Sequence, residues 1–199
     1  MDNPPIIRDA QSADLESLVD TLSDSFSEDP MFNWLFPTTQ LYPHFFRMLL
    51  KNVYLPRGIA HLDEEGRAVA LWLPPEQRMK LAPRLSLLRF GLKLLNQNGM
   101  RPVWRVLRQG AVFAKHHPVE PHYYLQFIGC CRRERGQGIG AALLKRGIHI
   151  CDERGMPAYL ECSNSRNVAF YERHGFVVRG KQPVGKNGPM AWFMWRDPR

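Results

Sequence analysis

The sequence predicts an α/β fold, in which a mixed β-sheet is flanked by helices. Three observations lead to this prediction. Apolar residues recur at helical spacing near the N-terminus, a hairpin pattern spans residues 58–73, and strand and helix patterns alternate from residue 123 onward. The 199 residues fit a single domain, which we assign to residues 1–199, and can bury a sizeable core.

The first third of the chain predicts short elements separated by clear breaks. Ser12 is placed as the N-cap of the first helix, and Asp29-Pro30 ends that helix because the residue before proline disfavours the α conformation. The predicted elements are, in order, a strand at 6–8, a helix from 12 to 28, an aromatic turn at 34–37, a helix at 41–54 and hairpin strands at 58–62 and 68–73.

Residues 78–117 differ from the rest in charge, since they contain nine Lys and Arg and no Asp or Glu. Two helices separated by Gly99 and Pro102 are predicted here, so the segment is expected to be a basic helical insertion. It is either a helical hairpin with a solvated basic face, a lid over the substrate, or a docking surface for anions. The leucine stripe of the first helix consists of Leu81, Leu85, Leu88, Leu92 and Leu95.

The C-terminal half alternates between strand and helix patterns. The predicted elements are a strand at 123–130, a helix at 138–153, a strand at 158–162, a helix at 167–174 and two closing strands at 176–179 and 190–195. A strand, a basic loop with three glycines and then a helix together form an anion site. Glycine lets the backbone approach a phosphate closely, and the first amides of a helix have no internal partner. The natural ligand is a pyrophosphate.

The glycine run also fits the dinucleotide-binding pattern formally, because Gly136, Gly138 and Ala141 are followed 20 residues later by Glu161. Three features argue against a dinucleotide. Cys131–Arg135 separate the strand from the first glycine, only 38 residues follow Glu161, and no comparable pattern precedes the run.

The order and spacing of the glycine run and of three segments around it resemble those of the GNAT superfamily of N-acetyltransferases. The coenzyme A signature of that superfamily is matched by Arg135-Gly136-Gln137-Gly138-Ile139-Gly140. Residues 125–130 match the strand that precedes the signature, and residues 159–164 match the segment that follows it and ends in asparagine. Residues 167–176 match the C-terminal motif Asn-x-x-x-Tyr-Glu-x-x-Gly-Phe. In layout the chain is most similar to small-molecule acetyltransferases of the puromycin N-acetyltransferase type, with the acetyl-CoA-binding and catalytic core at about 120–180. Arg132 stands where relatives usually carry proline.

The resemblance implies a mostly antiparallel sheet and direct attack of an amine on acetyl-CoA, which is a cosubstrate, without a metal. It implies a pantetheine arm held by the backbone of Ile128, Gly129 and Cys130, and a pyrophosphate bound by Arg135, Gly136, Gln137, Gly138, Ile139, Gly140 and Ala141. Asn164 and Asn167 contact pantetheine or cap a helix. Tyr171 matches the general acid, and a phenol suits a departing thiolate.

The general base has three candidates: Glu161, a histidine among His116, His117 and His122, or an ordered water. The acceptor pocket is expected from residues 26–36, the insertion and the loop at 185–188. The main expectation is a small-molecule amine. The alternatives are a macromolecular amine on protein or aminoacyl-RNA, with the insertion docking it, and a regulatory module that binds coenzyme A without catalysis.

The remaining expectations concern partners and compartment. No run approaches the roughly 20 apolar residues of a membrane span, and residues 1–9 lack a signal-peptide core, so a cytoplasmic protein without a membrane partner is expected. The four cysteines form no CxxC pair and are expected to be reduced. The net charge of +8 is compatible with three kinds of anionic partner, namely phosphorylated cofactors, nucleic acid or a membrane face, and charge alone does not choose among them.

Overall fold

A computed structural model of the chain describes residues 4–77, 90–92, 94, 95 and 99–199. At its centre lies a seven-stranded sheet in the order β1-β2-β3-β4-β5-β7-β6. All neighbouring strands are antiparallel except β4 and β5, which run parallel. The strands are β1 Ile7–Asp9, β2 Ile59–Asp63, β3 Ala68–Leu73, β4 Tyr123–Cys130, β5 Ala158–Cys162, β6 Val177–Pro183 and β7 Met190–Arg196. The mixed, mostly antiparallel sheet agrees with the sequence prediction.

Helices cover both faces of this sheet. They are α1 Leu15–Ser25, α2 Pro30–Leu35, α3 Tyr42–Leu49, α4 Met100–His116, α5 Ile139–Glu153 and α6 Ser165–Glu172. The chain continues from α3 through a π-helical turn, Leu50–Tyr54, and a last helical turn, Leu55–Arg57. None of the described helices is long and apolar enough to cross a membrane.

The two faces of the sheet carry separate apolar cores. The first face packs against α1 to α4 and buries a large aromatic group that includes Phe32, Phe46 and Phe127. The second face packs against α5 and α6, where Leu143, Leu144 and Tyr171 are buried. We use the terms first face and second face for these two sides below.

A β-bulge interrupts the pairing of β3 with β4. Trp72 pairs with Leu125 and Leu71 pairs with Phe127, so Gln126 is the extra residue. The Tyr54 hydroxyl donates a hydrogen bond to Oε1 of Gln126 and so ties the π-helical turn to the bulge. The bulge lies where β4 separates from β5, next to the candidate site.

Most element predictions are confirmed, with three corrections. Ser12 does not cap α1, because a 3-10 turn, Ser12–Asp14, precedes that helix and Gln11 and Asp14 form its capping box. Trp34 belongs to α2 rather than to a turn, since Asp29 caps that helix. The last helix begins two residues earlier than predicted, because Asn164 caps it.

The predicted insertion is described only in part. Its second helix is α4, whereas Leu81, Leu85 and Leu88 of the leucine stripe lie outside the described residues. The stripe prediction is wrong for Leu92 and Leu95, because both side chains are exposed while Leu94 is buried.

Candidate active site

The centre of the candidate site is the divergence of β4 and β5. The parallel pairing joins Tyr123–Leu125 to Ala158–Leu160 and ends there, although β4 continues to Cys130 in pairing with β3 alone. Beyond Leu125, β4 therefore has one backbone edge outside the ladder. Ile128, Gly129 and Cys130 lie on this edge, which can accept the hydrogen bonds of an extended ligand as a neighbouring strand would. We call this gap the β4–β5 slot.

The glycine run closes one end of the β4–β5 slot. Gly136 and Gly138 adopt φ angles of 85° and 80°, which favour glycine, and Gly138 is the left-handed N-cap residue of α5. No neighbouring atom lies within 4 Å of a Cβ built at Gly136, Gly138 or Gly140, so the surface above them is open. The first amides of α5 are free of intrahelical partners, and no side chain caps them. This loop fits a pyrophosphate.

The arginines of this loop are less available for phosphate than the sequence suggests. Arg135 contacts Glu28 at 3.0 Å and donates to the Ser25 carbonyl, while Arg132 pairs with Asp24 at 2.9 Å. Arg133 is exposed and has no ion-pair partner in the described part of the chain. Anion binding in the loop therefore depends mainly on the backbone and the helix dipole.

Helix α6 places Tyr171 on the second face of the sheet. The side chain is buried beside Cys162, and burial raises the pKa of Tyr171 well above its usual value, with smaller contributions from Cys162 and Asp29. A proton held this firmly is available to a strong base such as a departing thiolate.

The two predicted asparagines occupy different positions. Asn164 is the N-cap of α6, where its Oδ1 accepts the Arg166 amide at 3.1 Å. Asn167 is exposed within the first turn of α6 and does not cap it.

Glu161 lies on β5 immediately past the last residue paired with β4, and its side chain is only 3% exposed. The Tyr124 hydroxyl donates to its Oε2. Its Oε1 makes no hydrogen bond of ordinary geometry to the described residues, and neither does the buried Tyr159 hydroxyl nearby. The two groups are nevertheless close, because burial raises the pKa of Tyr159 and the charge of Glu161 and a side-chain hydrogen bond to it raise that pKa further. Oε1 is therefore the less firmly bonded oxygen of Glu161 and the one that a cationic ligand can approach.

The three histidines do not play equal parts. His117 Nδ1 lies 3.8 Å from Oε1 of Glu161, and its side chain is 40% exposed, so it connects the carboxylate with solvent. His116 hydrogen-bonds the Val112 carbonyl and stacks on Phe193. His122 hydrogen-bonds the Glu120 carbonyl, and burial lowers the pKa of His122.

Asp29 is a half-buried acidic residue at this site that the sequence identified only as part of a helix break. Its Oδ1 accepts the Met31 and Phe32 amides, and its Oδ2 accepts the Ser163 hydroxyl at 2.6 Å. Burial raises the pKa of Asp29 above its usual range, against these hydrogen bonds, which lower it. Asp29 thus joins α2 to the chain between β5 and α6.

The residues predicted for the acceptor pocket do come together. Arg105 of α4 donates to the Trp34 carbonyl at 2.7 Å, and Arg108 donates to the Val184 carbonyl at 3.2 Å. A Cβ at Gly185 would lie 3.3 Å from Trp34. The α2 helix, the insertion and the last loop therefore meet on the first face, the side on which Glu161 lies.

The cysteines nearest the slot are unsuited to covalent catalysis. Cys130 and Cys162 are free, and burial raises the pKa of each to about 11. At neutral pH both are thiols, and the thiol is the weak form of the nucleophile. The described residues hold no group of three or more metal-binding side chains.

Comparison with known proteins points to one enzyme family. The model of the acetyltransferase (GNAT) family matches residues 93–176. An uncharacterized N-acetyltransferase of Schizosaccharomyces pombe is 26% identical over 183 residues, covering 85% of this chain and 73% of that protein.

Two solved structures share the fold over nearly the whole chain. One, described as histone acetyltransferase HPA2 and related acetyltransferase from Corynebacterium glutamicum, is 26% identical with a TM-score of 0.72 and covers 99% of this chain and 98% of its own. The other, arylalkylamine N-acetyltransferase 2 from Aedes aegypti, is 15% identical with a TM-score of 0.63 and covers 99% of this chain and all of its own. The second likeness concerns the fold alone.

Proposed function

The chain carries an acetyltransferase domain of the GNAT family and is an acetyl-CoA-dependent acetyltransferase; on this premise we propose that it acetylates a primary amine of a small molecule by direct attack. One observation carries the proposal. At the end of β5, consecutive residues face opposite sides of the sheet, with Glu161 on the first face beside Tyr124, and Cys162 on the second face beside Tyr171. A base and an acid therefore flank the β4–β5 slot from opposite sides.

This arrangement suits a reaction in which the amine enters from the first face and the thiolate leaves toward the second. Acetyl-CoA supplies an activated acetyl thioester. The amides from Gly136 to Ala141 bind its pyrophosphate, and the free edge of Ile128–Cys130 holds its pantetheine arm and acetyl carbonyl. Asn164 is the N-cap of α6 and Asn167 lies in its first turn, and both are assigned to contact the pantetheine arm.

Glu161 takes a proton from the incoming ammonium, so that the neutral amine can form a bond to the acetyl carbon. The bond between that carbon and sulfur then breaks, Tyr171 donates its proton to the thiolate, and the second proton that the nitrogen loses as the amide forms replaces the one on Tyr171. The proton on Glu161 passes to solvent through His117, which lies 3.8 Å away and is partly exposed. The buried Oε1 supports this role for Glu161, because it makes no hydrogen bond of ordinary geometry to the described residues and can accept one from an ammonium donor.

A protein amine is the second candidate acceptor, since a structural neighbour with 26% identity is described as a histone acetyltransferase and related acetyltransferase. The charge of this chain disfavours a basic peptide, because Arg105 and Arg108 of α4 lie against the expected acceptor pocket and would repel it. Acetylation of a lysine-rich peptide in preference to small amines would select this candidate.

The role of Tyr171 is tested by Tyr171→Phe. We expect kcat to fall by about 100-fold, because general acid catalysis contributes roughly 10²- to 10⁴-fold, while the KM for acetyl-CoA stays unchanged. The measurement is release of free thiol from acetyl-CoA in the presence of an amine library. The matched control is Tyr123→Phe, which removes another buried tyrosine hydroxyl from the second-face core and should leave kcat unchanged. Equal rates for Tyr171→Phe and the wild type would overturn the acid assignment.

A further inference from the structure

The excess positive charge of this chain resides in one segment. Residues 77–119 contain no Asp or Glu, and they hold nine of the 27 Lys and Arg. The 18 that remain elsewhere are outnumbered by 19 Asp and Glu, so the rest of the chain has a net charge of −1. The net charge of +8 therefore belongs to the insertion that contains α4.

Helix α4 carries an exposed apolar stripe. Met100, Trp104 and Leu107 are 52%, 65% and 59% exposed, and their spacing of four and three residues places them on one side of the helix. The opposite side, which includes Val103, Val106 and Phe113, packs against the first-face core. Because both sides of α4 are apolar, core packing explains only one of them.

Basic side chains run beside this stripe. Arg101, Arg108 and Lys115 recur every seven residues, which aligns them along one flank of the helix, and all three are exposed. Arg105 is half-buried and is not counted with them, since it donates to the Trp34 carbonyl and lies over the Trp34 ring at 5.3 Å. Arg108 also donates to a carbonyl, that of Val184, but its side chain stays exposed. We call Met100, Trp104, Leu107 and the flanking Arg101, Arg108 and Lys115 the α4 surface.

We propose that the α4 surface binds the face of a membrane that contains anionic phospholipids. A helix that lies in the plane of a bilayer combines large apolar side chains, often tryptophan, with flanking Lys and Arg that meet the anionic headgroups. The α4 surface has this composition, and no Asp or Glu occurs among the 43 residues of the surrounding segment of the sequence.

Other anionic partners explain less of the surface. A nucleic acid would account for the basic flank and not for exposed Met100 and Leu107, because phosphate contacts need no apolar stripe. The proposal is independent of the acetyl acceptor. It departs from the sequence expectation of no membrane partner, which was based on the lack of a spanning segment; a surface helix needs no such segment.

The test is sedimentation of the full chain with lipid vesicles at about 0.1 M salt, comparing phosphatidylcholine alone with a mixture containing about 30% phosphatidylserine. We expect binding to the mixed vesicles only, weakening as salt rises. Arg101→Glu with Lys115→Glu should reduce the partition coefficient by about 25-fold or more, since each basic residue contributes about fivefold. Trp104→Ser with Leu107→Ser should reduce it by at least about tenfold.

The matched control is Lys145→Glu with Arg154→Glu, which makes the same change of charge on α5 and on the residue at its C-cap, across the sheet from α4. It should bind mixed vesicles as the wild type does. A circular dichroism spectrum and acetyl-CoA turnover establish that each variant is folded. The proposal is overturned if the wild type binds neither vesicle, if the control loses binding equally, or if the chain binds RNA with an affinity that Trp104→Ser with Leu107→Ser leaves unchanged.

Discussion

Replacing Glu161 by glutamine separates proton removal from every other function of this residue. Glutamine keeps the volume of the side chain and an oxygen that accepts the Tyr124 hydroxyl, but it takes no proton. A primary alkylamine resembles lysine, with a pKa near 10.4, so only about one molecule in a thousand is neutral at pH 7.4. Without a base, only the neutral fraction of the amine can react with acetyl-CoA.

The expected loss in kcat/KM at pH 7.4 is therefore about 10²- to 10³-fold, within the range of general base catalysis. It should shrink as pH rises, because log(kcat/KM) of Glu161→Gln climbs by about one for each pH unit as the neutral amine increases. Thiol release from acetyl-CoA, measured from about pH 6.5 to 9.5, gives both profiles. Glu172→Gln, an exposed glutamate on α6, is the matched control and should behave as the wild type. A loss that is the same at every pH would refute the assignment of Glu161 as the base.

Three further outcomes follow from the geometry. Gly138→Ala should weaken acetyl-CoA binding by about tenfold in calorimetry, because a φ of 80° costs an L-residue about 1 kcal/mol or more and the substitution shifts the first turn of α5. An unchanged Kd would contradict the assignment of the glycine run as the pyrophosphate site. Gly147→Ala should lower the free energy of unfolding in urea by about 2 kcal/mol, because the new Cβ would lie 2.3 Å from Trp72, whereas Gly110→Ala, with open space around it, should not destabilise. Burial lowers the pKa of His61 to about 4, below 6.5 in the unfolded chain, so the unfolded chain binds more protons between these values. Stability should therefore fall from pH 6.5 to 4, by up to about 3 kcal/mol, and His61→Leu should flatten that part of the profile in urea titrations.

The sequence predicted the sheet well where strands are continuous apolar runs. The predicted bounds of β3, β4 and β5 match the structure, because each run is bordered by proline, glycine or polar residues that end it. The glycine run was equally predictable, since Gly136 and Gly138 adopt the positive φ angles that alternating glycines make accessible.

Interactions between distant segments were not predictable from local patterns. The sequence analysis counted Arg135 among the pyrophosphate ligands, whereas in the structure its guanidinium pairs with Glu28, 107 residues away. The hydrogen bonds from Tyr124 to Glu161 and from Tyr54 to Gln126 depend on sheet register and on a bulge. Leu94 is buried while Leu92 and Leu95 are exposed, so the apolar side of this segment is not the one that the leucine spacing predicted.

The most direct test of the account is the turnover of acetyl-CoA with a library of primary amines, followed by mass spectrometry of the products. The account predicts stoichiometric release of thiol and an N-acetylated small amine, with the rate falling about 100-fold in Tyr171→Phe. Thiol release from no small amine, by a folded chain that binds acetyl-CoA, would contradict the proposed function.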